Sequence, residues 1–201
     1  ESRITSKLTT QSLVVKAIWE NGITWGKHVW HKAQAKLPAN IYSFSIRYLN
    51  NTLANGTNMF KWGKAVSPLC PSCNQQQSLG HVVGGCIKHL KEGRYTWRHD
   101  SVLTALSKSV PINEHQTIYA DIPGYTSPSI ISGNDKRPDM FIVSNNKLVS
   151  IELSVGFEPN IKKNTELKDI RYKELFQRLR TSYSDIEYVN LSLGAIGTFG
   201  K

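Results

Sequence analysis

The sequence predicts an α/β fold, a mixed sheet flanked by helices and preceded by a helical segment and a small zinc knuckle, and three observations carry that prediction. From residue 94 onward the patterned segments run helix, strand, strand, strand, helix, strand, and a meander followed by a crossover helix and a returning strand builds a mixed sheet with helices on its faces. Residues 138–144 and 147–155 are rich in Val, Ile and Phe, with Asn145-Asn146 between them to accept the positive φ of a tight turn, which predicts a β-hairpin. Ahead of this core, residues 70–86 hold all three cysteines and a histidine. The expected division is therefore a helical linker segment over 1–64, a zinc knuckle over 65–93 and an α/β domain over 94–201.

Residues 1–36 predict a helix or two, with Leu13, Val14, Ala17 and Ile18 as an apolar group and Trp19, Trp25 and Trp30 nearby. His28 and His31 have helical i, i+3 spacing but no acidic or cysteine partner close in sequence, so they read as surface or packed residues. Pro38 opens a second helix whose apolar surface comes from Ile41, Phe44, Ile46, Tyr48, Leu49 and Leu53, and Asn55-Gly56 is its expected stop. Arg47, Lys61, Trp62 and Lys64 mix basic and aromatic character, which suits either contact with a nucleic-acid backbone or a solvated rim around a packed tryptophan.

In the second half, residues 94–108 predict an amphipathic helix with Trp97, Val102, Leu103 and Leu106 inward, closed by Pro111. Gln116 to Ile122 alternates as a strand, and residues 123–136, with two prolines and two glycines, read as a mobile loop. Residues 160–182 form the crossover helix, started by Pro159 and Asn160. Ile186 to Leu193 is the last strand, with Gly194, Gly197 and Gly200 marking a frayed end.

Composition narrows the function classes. With 201 residues, 39% of them hydrophobic, the chain can build one sizeable core and a small appended module. It contains no run of eighteen apolar residues, so no membrane span is expected. The opening Glu1-Ser2-Arg3-Ile4 lacks an initiator Met and a signal-peptide core, and we expect a piece of a longer protein. A net charge of +10 favours a polyanionic partner, nucleic acid before membrane. An odd, clustered set of three cysteines argues against a disulfide framework and for a reducing compartment.

The cluster itself is Cys70-Pro71-Ser72-Cys73, seven residues, His81, four residues, Cys86. A Cys-x-x-Cys turn followed by a His and a Cys supplies four soft and borderline donors, the set that structural Zn²⁺ takes tetrahedrally. Gly80, Gly84 and Gly85 free the backbone where it folds round the metal, and His89 is the alternative to His81. The competing reading is three buried thiols.

On the hairpin, Ser144 should pair with Lys147, which places Asp139 opposite Glu152 on one face. Like charges about 4.5–5.5 Å apart at Cβ are unfavourable without a cation between them. The pair therefore reads as a Mg²⁺ site or, if the turn slips by one residue, as a turn-ending Asp139 and a solvated Glu152. On the crossover helix Ile161, Thr165, Lys168, Tyr172, Leu175, Phe176 and Leu179 share a stripe, so Lys168 is central in an apolar face; it either snorkels outward or is held for a task. Ile170 does not fit the stripe.

Arg137-Pro138-Asp139, twelve residues, Glu152, then Lys168 with Arg171-Tyr172 resembles the restriction-like endonuclease of site-specific non-LTR retrotransposons, within the PD-(D/E)xK superfamily. In the wider superfamily the lysine sits two residues after the second acid, where this chain has Ser154, and in those elements it has moved to the following helix. Arg98-His99-Asp100 resembles a short signature ahead of the catalytic strands, implying DNA contact or orientation of the site, with a helix-surface salt bridge as the plainer reading. The cysteine cluster, with Leu37-Pro38 and Lys61-Trp62-Gly63, is similar to the CCHC element downstream of the reverse transcriptase in the same elements; its Cys73-to-His81 gap is longer than in retroviral nucleocapsid knuckles.

The resemblance implies a restriction-endonuclease-like fold and a DNA endonuclease, with Asp139 and Glu152 holding catalytic Mg²⁺ or Mn²⁺ and Lys168 and Tyr172 completing the catalytic set. It implies DNA contacts from Arg98, His99, Arg137 and Arg171, and structural Zn²⁺ on Cys70, Cys73, His81 and Cys86. Further implications are a double-stranded DNA target, the element's RNA and an upstream reverse transcriptase as partners, nuclear localisation, and a nick whose 3′-hydroxyl primes reverse transcription. Two rivals stand beside it: a zinc-containing nucleic-acid-binding module with weak or no activity, which Ser154 favours, and a junction- or flap-specific nuclease.

Overall fold

The computed structural model describes residues 10–22, 36–133 and 136–200. Trp25, Trp30, His28 and His31 lie outside the described residues. The described chain forms two compact units, one holding the residues up to Tyr95 with Gly156–Lys162 and those from Leu193 onward, the other holding Thr96–Val155 and Lys163–Ser192.

In the first unit α1 (Leu13–Glu20) and α2 (Ala39–Leu49) are followed by a short α3 (Gly56–Lys61), a π-helical turn at His81–Gly85 and α4 (Ile87–Lys91). Val14, Ile18, Tyr48, Leu79, Val83, Phe157 and Ile161 form its apolar core, each side chain contributing about 1.5–3 kcal/mol relative to exposure. Helix α2 is less apolar-faced than its sequence suggests. Ile41, Phe44 and Ile46 are exposed, while Ser45 and Tyr48 turn inward. Asn55-Gly56 does not stop α2; Asn55 caps α3 instead, its side chain accepting from the Asn58 N–H, and α2 ends earlier, with Asn51 at φ 52°.

Gly194 and Gly197 do not mark a frayed end. Gly197, at φ 75°, closes a turn in which the Gly194 N–H donates to the Thr198 carbonyl, and Leu193 bridges Phe199. The turn buries Thr198, whose hydroxyl donates to Glu158. Tyr48 donates to the same wholly buried carboxylate, so a costly buried acid is satisfied by two hydroxyls. Gly194 has no room for a Cβ, which would run into the side chains of Thr198 and Glu158.

The second unit carries α5 (Arg94–Ser109) from Thr96, β1 (Gln116–Ala120), α6 (Ser129–Ser132), β2 (Met140–Ser144), β3 (Lys147–Gly156) as far as Val155, α7 (Ile161–Leu179) from Lys163 and β4 (Asp185–Gly194) as far as Ser192. The sheet order is β1-β2-β3-β4. It is a mixed sheet flanked by helices, with β1–β2 and β2–β3 antiparallel. Asn145 takes φ 47°, and the two-residue turn pairs Ser144 with Lys147, as expected from the sequence. Phe141, Leu148, Tyr172, Leu175 and Leu179 make the core between sheet and α7.

Two expectations fail here. Trp97 points outward, 74% exposed, while Leu103 is buried. At 100° per residue Trp97 lies about opposite His99, and α5 turns the face carrying His99 and Leu103 inward. Residues 123–136 are not a plain loop: Thr126 bridges Tyr119, α6 follows, and Arg178 donates to the Ser132 carbonyl.

Gly194→Ala should destabilise the protein by roughly 1–3 kcal/mol, the usual cost of overpacking. Urea unfolding would show it, and a midpoint equal to wild type would contradict the close packing around Glu158.

Candidate active site and metal centre

Residue 139 follows Pro138 and immediately precedes β2, and one step beyond the Met140↔Ile151 pair it stands opposite Glu152 on β3. The backbone locks the two acids together. The Asp139 N–H donates to Glu152 Oε2 at 3.1 Å, and the Leu153 N–H donates to Asp139 Oδ2 at 2.7 Å. Both carboxylates are withdrawn from water, Glu152 almost wholly.

Helix α7 brings the cation. Its apolar face seats Tyr172, Leu175 and Leu179, and one turn before Tyr172 the Lys168 Nζ reaches 2.6 Å from Glu152 Oε1, 2.7 Å from the Leu153 carbonyl and 3.9 Å from Asp139 Oδ2. Lys168 thus neither snorkels into solvent nor packs inertly. Ile170, outside the stripe, is exposed.

Helix α5 supplies a second partner that the hairpin pattern did not reveal. His99 Nε2 lies 3.3 Å from Asp139 Oδ2, and its Nδ1 lies 3.0 Å from Asp100 Oδ1. Burial alone would lower the imidazole pKa, but the hydrogen bond to Asp139 and its charge, with Asp100 behind, outweigh burial and raise it to about 9. The same pairing works on Asp139: burial pushes its pKa up, yet His99, Lys168 and the Leu153 N–H hold it below the ordinary carboxylate value. Glu152 is shifted upward, by burial first and by the Asp139 charge second, with Lys168 opposing both. Burial, followed by the Glu152 charge, raises the Tyr172 hydroxyl pKa, so it stays protonated.

The remaining sequence-predicted residues surround this cluster. Tyr172 is buried and donates to the Arg137 carbonyl at 3.1 Å, fixing the backbone just before Asp139. Arg137 pairs with Asp121 at 2.6 Å, and the Asp121 N–H donates to the Asp139 carbonyl. Arg171 is exposed and lies over the Tyr172 ring. Arg98 donates to the Val155 carbonyl at 3.0 Å, tying α5 to β3. Ser154, two residues beyond Glu152 on β3, has a buried hydroxyl without a hydrogen-bond partner.

The donor set fits a hard divalent ion. Two carboxylates and a backbone carbonyl converge on one cation, the Lys168 ammonium, and Mg²⁺ takes such oxygen ligands.

In the first unit Cys70, Cys73, His81 and Cys86 bring one donor atom each to within 4.8 Å of one another. Cys86 Sγ and Cys73 Sγ are 3.8 Å apart, and Cys73 Sγ and His81 Nε2 are 3.4 Å apart. A tetrahedron with Zn–S of about 2.3 Å and Zn–N of about 2.05 Å has edges of about 3.8 and 3.6 Å, so these residues fit zinc. The π-helical turn begins at His81 and ends beside Cys86, at which point the Cys86 N–H donates to the Tyr95 hydroxyl oxygen at 3.1 Å. His89 stacks edge-on against Tyr95 and is not in the cluster. Burial opposes ionisation of Cys70, but the His81 hydrogen bond and the Ser72 and Cys73 N–H groups lower its pKa to about 6.

No protein-family model and no curated protein matches this chain. Its functional reading therefore rests on the geometry of the two clusters.

Two outcomes are expected. The purified protein should contain one zinc per chain by mass spectrometry, and Cys73→Ser should lose it and unfold at lower denaturant; a metal-free protein of equal stability would support three plain thiols. Without divalent ions, the His99 ring should titrate near 9 by NMR. Because its folded pKa lies above the ordinary 6.5, its stabilising contribution is complete below about that value and is lost as pH rises through about 9. A titration at or below 6.5 would mean that burial wins over Asp139.

Proposed function

We propose that the chain is a metal-dependent DNA endonuclease, with a restriction-endonuclease-like core and a zinc module that helps to place the nucleic acid. The observation that carries this reading is the convergence of Lys168, from a helix fifteen residues past β3's Leu153, on Asp139, Glu152 and the Leu153 carbonyl. A buried pair of acids with a lysine at their mouth is chemistry for a phosphodiester, and the net charge of +10 suits that substrate.

Asp139, Glu152 and the Leu153 carbonyl would hold Mg²⁺ or Mn²⁺, which supplies Lewis acidity toward a phosphodiester and lowers the pKa of a neighbouring water. Lys168, released toward the phosphate, neutralises charge that grows on its oxygens as the bond breaks. His99 holds the Asp139 carboxylate in place, with Asp100 holding His99. Tyr172 acts through the backbone: it steadies Arg137 and hence the approach of Asp139. The exposed Arg171 and the half-exposed Arg137 are the cations beside the cluster best placed to meet a DNA backbone.

The motif order extends the proposal. A CCHC module followed by this acid–acid–lysine constellation supports a fragment of a non-LTR retrotransposon protein, acting in the nucleus with an upstream reverse transcriptase and element RNA, the nick priming DNA synthesis.

Incubated with supercoiled plasmid and Mg²⁺ or Mn²⁺, the protein should convert it to the nicked form. Asp139→Ala, Glu152→Ala and Lys168→Ala should each slow nicking by about 10²-fold or more. DNA binding without nicking in either metal would favour the zinc-containing binding module, and cleavage confined to branched DNA would favour a junction or flap nuclease.

A further inference from the structure

We propose that Lys168 is the resting occupant of the cation position, so that a divalent ion enters the Asp139–Glu152 site as the ammonium leaves, and that a DNA phosphate draws it out. This coupling of metal loading to substrate rests on the endonuclease reading.

The contacts of Lys168 motivate the inference. A lysine poised only for a substrate phosphate would point away from the acids or touch one of them at its rim. Lys168 instead donates to Glu152 Oε1 at 2.6 Å and to the Leu153 carbonyl at 2.7 Å, and Asp139 Oδ2 is 3.9 Å away. These are the three oxygens that would ligate the metal. An ammonium already within hydrogen-bond reach of two of them blocks the space and repels a second positive centre, so the two cations exclude one another.

The side chain can leave. Lysine is a flexible four-carbon stem with a strongly hydrated head, and Lys168 remains about a quarter exposed while Glu152 is nearly sealed. In water its departure strips a buried carboxylate of its counter-ion, which is unfavourable unless another cation arrives. A bound phosphate alters the balance by offering the ammonium a new anion at the mouth of the site while the metal takes the old ones. By linkage, DNA then raises metal affinity and metal raises DNA affinity by one common factor.

The test is Mn²⁺ binding to the full zinc-loaded chain at fixed pH and salt, read from the electron paramagnetic resonance signal of free Mn²⁺. Asp139→Ala serves as the blank for adventitious binding. Lys168→Met and Lys168→Gln, each checked for a cooperative thermal transition, should bind Mn²⁺ about tenfold or more tightly than wild type. A duplex with uncleavable phosphorothioate linkages should tighten Mn²⁺ binding to wild type by a larger factor than to either variant.

If wild type and both Lys168 variants bind Mn²⁺ equally and above the blank, the exchange proposal falls and the metal site stands. If the Lys168 variants bind more weakly than wild type, the ammonium helps to assemble the site and the proposal is overturned. If none exceeds the blank, the endonuclease reading falls with it. Equal tightening by DNA in wild type and variants would overturn the role given to the phosphate.

Discussion

Two carboxylates face each other across an antiparallel pair, and their repulsion dictates what the rest of the second unit must supply. The Glu152 carboxylate is tied to the Asp139 N–H and the Asp139 carboxylate to the Leu153 N–H, so the two acids cannot readily relieve the repulsion by moving apart. The fold answers with cations from two directions, Lys168 from α7 and His99 from α5. Each helix buries an apolar neighbour of that residue, Tyr172 and Leu175 on α7 and Leu103 on α5, and so the core sets the position of the charge.

This arrangement is expensive as architecture alone. Removing one member of a buried ion pair destabilises by about 3–5 kcal/mol, whereas well-packed apolar side chains of similar volume would do as well or better. A sheet with no task at this point would not need acids locked by N–H groups, a lysine threaded to them, or an Asp100–His99 pair behind. The Cys70, Cys73, His81 and Cys86 cluster, which could hold zinc, answers a different need. The stretch around it has few apolar side chains, and four donors at tetrahedral spacing can stabilise the local fold where packing cannot.

Where local rules decide, the sequence was enough. The hairpin register follows from a two-residue Asn-Asn turn, the gathering of three cysteines and His81 follows from their spacing, and the stripe of the crossover helix put Lys168 on the inward face while leaving open whether it snorkels. Where long-range packing decides, it was not. His99 meets Asp139 across forty residues of sequence, and only the Arg98-His99-Asp100 signature hinted that α5 mattered. Trp97 looked like core because it is apolar, but a helix has one inward face and His99 holds it. Asn55 was ambiguous between ending one helix and starting the next, a choice made by the Asn58 N–H. The buried Glu158 had no signal at all, since its partners Tyr48 and Thr198 lie 110 and 40 residues away.

The most direct test of the central claim is a crystal structure with Mn²⁺, located by anomalous scattering. The account predicts a peak about 2.0–2.3 Å from carboxylate oxygens of Asp139 and Glu152 and from the Leu153 carbonyl, with the Lys168 ammonium displaced from Glu152. Crystals grown in saturating Mn²⁺ that show no peak there, with Lys168 still bonded to Glu152 and the Leu153 carbonyl, would contradict it and leave the cluster a structural ion-pair network.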